Sequence, residues 1–227
     1  MSKNPLTYLA LDSRYVDIVT EYCCKQRTRD GALILSMLFM GLRNSECRQL
    51  RIADVAVAGS IADSVTIRPE TSKDDTERTV PIPLLLQDVL RSMLEGMKGY
   101  YWYEYCATPL FPSRKKGKFL TARQIQRIVK RHLMRAIGRD VHPHALRHTY
   151  ASSLLQHLDV RTVQHLLGHK HIQTTEYYLE PNINVARAAV EKFVPILPHE
   201  PPERQAARKQ TIATGIRSVQ HLRRKEG

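Results

Sequence analysis

From Ser13 to Met40 apolar residues return every three or four positions: Tyr15, Ile18, Val19 and Tyr22, then Leu33, Ile34, Met37 and Leu38. That step is the period of an α-helix with one buried face, so this part of the chain must pack against a core as helices. The run Arg27-Thr28-Arg29-Asp30 divides the pattern in two, with Thr28 or Asp30 placed to cap the second helix. Gly41 ends that helix, which leaves Arg43 on a short turn leading into Ser45–Leu50.

The period then changes. Ile52–Val57, Ser64–Arg68 and Arg78–Ile82 read as β-type stretches, with turns at Gly59-Ser60 and Ser72–Thr76. A three-stranded antiparallel sheet is the simplest arrangement, with Lys73 at or beside the second hairpin tip. Helices resume with Pro83, which opens one to about Met97. Thr121 caps a helix to about Ile137 that buries Ile125, Ile128, Val129 and Leu133. Shorter helices fit His144–Gln156, Val160–Leu167 (Asp159 as cap, Gly168 as stop), Thr175–Leu179 and Asn184–Phe193. Pro195, Pro198, Pro201 and Pro202 mark a linker over 195–203, and a basic tail follows over 204–227, helical only when docked. The fold expected is α+β, mainly α-helical with one small antiparallel sheet.

Charge narrows the partners. Lys and Arg number 35 against 22 Asp and Glu, a formal net charge of +13. Such a balance favours polyanions, nucleic acid foremost. No run of 18 apolar residues suits a membrane span, and Met1–Pro5 lacks the apolar core of a secretory signal. Cys23, Cys24, Cys47 and Cys106 have no CxxC spacing and read as reduced thiols of a cytoplasmic protein. Ser113–Arg139 holds ten Lys or Arg and no acid. Arg114, Lys115, Lys116 and Lys118 fall in its loop. Arg123, Arg127, Lys130 and Arg131 recur at helical spacing, as a stripe following DNA phosphates would. A solvated face explains any one of them equally well.

The chemistry concentrates further on. His144 and Arg147 are three apart and share a helix face. Arg147 offers a rigid fork for two phosphate oxygens, and a neutral imidazole accepts a proton near pH 7. Alone, His-x-x-Arg reads more readily as the polar edge of an amphipathic helix. Leu166-Leu167-Gly168-His169 ends a short helix at a glycine, and Tyr178 follows after Thr174-Thr175. His142, His144, His148, His165, His169 and His171 crowd this region, but no Cys or carboxylate stands at metal-ligand spacing. Neither metal nor other cofactor is expected. Tyr100–Tyr105 reads as an aromatic cluster closing the core rather than stacking on bases.

Taken in order, His144-Ala-Leu-Arg-His-Thr-Tyr150, Leu166-Leu-Gly-His169 and Thr174-Thr-Glu-Tyr-Tyr178 resemble the catalytic half of the tyrosine recombinase (phage integrase) family. Gly41-Leu-Arg-Asn-Ser-Glu46 is similar to that family's first arginine box. Thr71-Ser-Lys73 with Arg78-Thr-Val-Pro81 is similar to its hairpin lysine and following strand. The resemblance spans about residues 30–180. It implies that Arg43 and Arg147 clamp the scissile phosphate, with His169 donating a further hydrogen bond. Tyr178 would attack phosphorus to form a 3′-phosphotyrosyl link, Lys73 would protonate the leaving 5′ oxygen, and His144 would take or help place the phenolic proton. By analogy Glu46 orients a guanidinium; otherwise it is an acid at a helix N-terminus. Tyr177 competes for the nucleophile's role, though the family spacing favours Tyr178.

The resemblance also implies double-stranded DNA as partner, a homotetramer on two DNA sites, and inversion, excision or integration through a Holliday junction. A IB-type topoisomerase shares the chemistry, and a catalytically idle DNA-binding regulator shares the fold. Residues 1–194 are expected to form the catalytic domain, with 184–193 as a helix docking on a neighbouring subunit. Only about 25 residues precede the first expected catalytic-domain helix, too few for the separate N-terminal domain of most members. Either the chain is a fragment or, as its Met1 start favours, it belongs with short recombinases that resemble the fimbrial phase-variation invertases, which leaves room for accessory DNA-bending proteins.

Overall fold

A computed structural model describes residues 10–57, 59–69, 77–97, 107–115, 118–168, 183–195 and 201–225. Lys73, Tyr100–Tyr105, Lys116, His169, Tyr177, Tyr178 and the short helix expected at Thr175–Leu179 lie outside them.

α1 (Ser13–Gln26) and α2 (Arg29–Phe39) are the two expected helices. Asp12 caps α1 by accepting from the Tyr15 N–H at 2.9 Å, and Thr28 caps α2 by accepting from the Gly31 N–H at 3.3 Å. Gly31 brings the two helices close, since a Cβ there would lie 2.9 Å from the Cys23 carbonyl oxygen. From Gly31 to Phe39 every residue of α2 is buried. A helix apolar on all sides belongs at the centre, and α1, α5 and α7 pack around it. α1 shares the same core through Val16, Val19 and Cys23.

α3 (Asn44–Gln49) follows the turn at Gly41, and α4 (Ile52–Val55) comes next. This second short helix replaces the start of the first expected strand. Ile52 and Val55 stand three apart and are both buried, a helical step, and Asp54 accepts from the Arg51 N–H at 2.7 Å to close the turn. Just before it the chain pairs elsewhere: the Leu110 N–H donates to Leu50 and the Ile52 N–H to Thr108.

The sheet divides accordingly. Among the described residues there are two two-stranded antiparallel sheets rather than one of three strands. β1 (Ala56–Val57) pairs with β2 (Ser60–Ile61) across a tight turn at Gly59, φ +82°. β3 (Ser64–Ile67) pairs with β4 (Arg78–Pro81), Val65 opposite Val80 and Ile67 opposite Arg78.

α5 (Leu84–Glu95) begins after Pro83. α6 (Ala122–Ile137) carries a reciprocal cap: the Thr121 N–H donates to Gln124 at 2.8 Å, and the Gln124 N–H donates to Thr121 at 3.2 Å. Its buried stripe is the expected one with His132 added. α7 (Pro143–Leu154) and α8 (Val160–Leu167) follow; Asp159 caps α8 and Gly168 ends it in the left-handed region at φ +66°. α9 (Ile183–Phe193) buries Ala186, Ala189 and Val190 and sets Phe193 edge-on to Phe39 at 5.4 Å.

α10 (Pro202–Lys225) starts inside the stretch read as a linker, with proline at its first position. It lies on α9. Arg208, buried, donates to the Glu191 carbonyl and stands 3.8 Å from its carboxylate, while Arg204 pairs with Asp88 of α5. Glu191 in turn accepts the Leu84 N–H at 2.8 Å, capping α5 from a distance. These basic side chains of the tail therefore face acids of the fold.

Candidate active site

Three arginines from distant parts of the chain meet around one carboxylate. Arg43 stands at the start of α3, Arg78 opens β4, and Arg147 lies on α7. Glu46 sits among them with no exposed side-chain surface. Arg78 takes it end-on with both terminal nitrogens, Nη1 to Oε1 at 2.9 Å and Nη2 to Oε2 at 2.7 Å. Arg43 reaches Oε1 at 3.2 Å and donates its backbone N–H to Oε2 at 2.8 Å. Arg147 Nη1 stays 3.8 Å from Oε2. Glu46 is thus both the orienting carboxylate and the acid in the first turn of α3. Burial works to raise its pKa, but the hydrogen bonds and charge of Arg78, the Arg43 N–H and the charge of Arg147 outweigh it. The carboxyl is held below its ordinary range.

The same guanidinium groups close the end of α8. Arg78 Nε donates to the Leu166 carbonyl at 2.8 Å, Arg147 Nη2 to that of Leu167, and Arg43 Nη2 to that of Gly168 at 2.9 Å. Terminal carbonyls of a helix carry partial negative charge and lack partners within the helix, so cations complement them. Gly168 is required twice over. Its φ is left-handed, and a Cβ there would come within 2.9 Å of Arg78 Nη1. Three arginines thus hold the C-terminal turn of α8.

Arg147 is buried, and its Nη1 also donates to the Gly41 carbonyl at 2.7 Å. Burial first, then Arg43 beside it, brings its pKa down to about 10, still charged at neutral pH. Gly41 adopts φ +60° and lies against the ring of Tyr150. Tyr150, the tyrosine of the His144–Tyr150 motif, is fully buried and its hydroxyl pKa is pushed up by that burial. It is a core residue and no nucleophile.

His144 is on the exposed side of α7, edge-on to His148 with ring centroids 4.5 Å apart. Burial of part of its ring, then the charges of His148, Arg147, His142 and Arg43, hold its pKa below the usual imidazole value. It is neutral at pH 7 and able to accept a proton. His142 caps α7 by accepting the His144 N–H at 3.2 Å, and its Nε2 lies 3.4 Å from Gln126 of α6.

Arg43 and Arg147 thus meet at the end of α8 and His144 feels the charge of both, while Lys73, His169 and Tyr178 lie outside the described residues. The basic candidates divide. Arg114, Lys115 and Lys118 are exposed on a small loop closed by the Pro112–Phe119 bridge. Arg123 and Arg127 are exposed on α6, whose first turn touches the site where Asn44 donates to the Ala122 carbonyl at 3.3 Å. Lys130 pairs with Asp140, and Arg131 with Asp30 at 2.7 Å. Sequence reasoning gave no role to Arg78. The available signal was its place two residues before Val80, on the inward face of a strand.

A helical fold with small antiparallel sheets and an arginine pair on two of its motifs defines a class, and comparison with known proteins agrees. Residues 11–184 match the phage integrase family, and the chain belongs to it. It is 35% identical over 167 residues to tyrosine recombinase XerA of Thermococcus kodakarensis, covering 73% of this chain and 56% of that one. It is 34% identical over 170 residues to tyrosine recombinase XerC of Oceanobacillus iheyensis, covering 74% and 54%. The chain thus spans little more than half the length of these relatives. Among solved structures, XerA recombinase superposes with a TM-score of 0.60 at 21% identity, covering 91% of this chain and 64% of that one. XerH recombinase bound to its difH substrate superposes with a TM-score of 0.57 at 25% identity, covering 71% and 47%. Among the described residues no helix is long and apolar enough to cross a membrane.

Proposed function

We propose that this chain is a site-specific recombinase that cuts and rejoins double-stranded DNA through a 3′-phosphotyrosyl link. The observation that carries the reading is the convergence of Arg43 and Arg147, both buried or half-buried, at the end of α8. In this mechanism their forks bind the non-bridging oxygens of the scissile phosphate, and His169 adds a donor. The Tyr178 oxygen attacks phosphorus and the bond to the 5′ oxygen breaks. Lys73 supplies the proton that the 5′ oxygen takes, and His144 receives the phenolic proton. A tyrosine has pKa ~10, so only about one in a thousand is ionised at pH 7. Attack also adds charge to an anion, and preorganised cationic donors answer that, each worth about 10²–10³ in rate. The covalent ester keeps the bond energy, so rejoining needs no ATP. Arg114, Lys115, Lys116, Lys118, Arg123 and Arg127 bind the flanking phosphates, with Lys130 and Arg131 released from their acids to join them. The protein acts in the cytoplasm as a tetramer on two sites, together with accessory DNA-bending proteins.

The test is a library of nicked duplexes incubated with protein, selecting DNA that becomes covalently attached. Adduct is expected with the wild type and with Tyr177→Phe, and none with Tyr178→Phe. Adduct that survives Tyr178→Phe and disappears with Tyr177→Phe reassigns the nucleophile. Relaxation of supercoils without site preference favours the topoisomerase reading, and binding without adduct the idle regulator.

A further inference from the structure

Away from the arginine cluster, two donors of α6 compete for one carboxylate oxygen. Asp30, the second residue of α2, is largely buried. Arg29 holds its Oδ1 with Nε at 2.9 Å and Nη2 at 2.6 Å, and donates Nη1 to the Pro112 carbonyl. Oδ2 accepts from Arg131 Nη2 at 2.7 Å, and His132 Nε2 lies 3.3 Å from the same oxygen. The two donors are themselves 3.3 Å apart. On the other side of the ring, His132 Nδ1 lies 3.2 Å from the hydroxyl of Tyr22 on α1.

The groups facing this buried imidazole are therefore Tyr22 from α1, Asp30 from α2 with Arg29 behind it, and Arg131 and Arg135 from α6 itself. Burial holds its pKa below the ordinary imidazole value; Asp30 opposes that, and the charges of Arg131 and Arg135 add to it. A charged ring would still find an acceptor at each nitrogen, Nδ1–H donating to the Tyr22 oxygen and Nε2–H to Asp30 Oδ2. What stands against it at Oδ2 is the guanidinium already there. Of the two arginines on Asp30, Arg131 is the one able to leave. Its side chain is 47% exposed against 26% for Arg29, which Pro112 holds as well. Arg131 also lies four residues from the exposed Arg127, on the stripe read above as following DNA phosphates.

We propose that Arg131 links DNA binding to the protonation of His132. When a backbone phosphate draws Arg131 off Asp30, the imidazole takes a proton from solvent, goes from neutral to singly charged, and replaces the guanidinium at Oδ2. By linkage, protonation of His132 favours the DNA-bound position of Arg131 to the same extent. The inference rests on the reading of α6 as a DNA-binding face and adds to it the proton that accompanies binding.

The test uses the full chain and its Arg131→Gln variant, with a short duplex of mixed sequence and two readouts. The first is the titration of His132 by NMR, without duplex and at saturating duplex. In the wild type, duplex should move it up by about one pH unit, the effect of removing a cation at this range. In Arg131→Gln the free protein should already titrate higher, and duplex should add little. The second readout is duplex affinity against pH. From a pH above both titrations to one below them, the wild type should gain about tenfold more affinity than Arg131→Gln, whose other histidines are unchanged. A His132 titration that duplex leaves unmoved in the wild type overturns the proposal. So does a movement equally large in Arg131→Gln, which is what the general field of a polyanion predicts. If the wild type binds no duplex at any pH, the DNA-binding reading fails and the free proteins decide this one. A higher titration of His132 in Arg131→Gln then supports the competition at Asp30, and an unchanged one overturns it.

Discussion

Replacing Gly41 with alanine puts one methyl group where the structure has no space. The ideal Cβ would lie 2.3 Å from Tyr150 Cδ1 and 2.7 Å from Cε1, on a ring that is fully buried. The left-handed backbone at φ +60° costs alanine about 1–2 kcal/mol. Overpacking against a ring that cannot leave the core adds about 1–3 kcal/mol. The total is about 2–5 kcal/mol, and for a chain of this size each kcal/mol lowers Tm by about 2–4 °C. A drop of about 4–20 °C in thermal unfolding is therefore expected. Because the Gly41 carbonyl accepts from Arg147 Nη1, the adduct rate should also fall at temperatures where the variant is folded. Combining Gly41→Ala with Tyr150→Leu should cost less than the two changes separately, since the smaller side chain relieves the clash. A Tm within 1–2 °C of wild type for Gly41→Ala, or strict additivity in the double variant, would refute the reasoning.

Three further outcomes can be checked. Arg208→Ala breaks a buried pair with Glu191 and should cost about 3 kcal/mol, seen as faster amide exchange in α9 and α10; unchanged exchange there sinks the idea. Burial holds the pKa values of His132, His144 and His165 below normal, so protonating them is harder in the folded than in the unfolded chain. Stability should fall as pH drops through about 6.5, the unfolded value, and stop changing on this account below the folded values. Glu46 has the other carboxylate-type window: its depressed pKa gives stability above the unfolded value of about 4.3 that is lost at lower pH. A urea midpoint flat between pH 7.5 and 5.5 contradicts the histidine part. DNA binding should weaken steeply with salt, Arg123→Ala and Arg127→Ala each reducing the log–log slope by about 1. Lys130→Ala should do less, because Lys130 is already paired with Asp140. Equal affinity at low and moderate salt argues against a phosphate-tracking surface.

Legibility in the sequence followed the locality of the signal. α6 and α8 stand where their caps place them, because Thr121, Asp159 and Gly168 act on neighbours a few residues away. α4 was hidden: Ile52 and Val55 offer one helical step, too short to oppose the strand-like residues beside them. The split sheet depends on where Leu50 and Ile52 find partners, at Leu110 and Thr108, and no local pattern encodes that choice. Arg43 and Arg147 were legible through the motifs around them. Arg78 was not, because an arginine on the inward face of a strand makes sense only once Glu46 is known to lie opposite. The docking of α10 likewise depends on Glu191 and Asp88, far from the arginines that meet them.

The end of α8 has a consequence for the order in which the molecule becomes competent. Its last three carbonyls are held by side chains 88, 125 and 20 positions away along the chain. A nascent polypeptide lacking its later helices has the first two of these cations but nothing for them to grip. The clustering of Arg43, Arg78 and Arg147 at this spot therefore emerges last, when the whole tertiary arrangement is in place. An incomplete chain therefore holds these arginines without the helix end that brings them together.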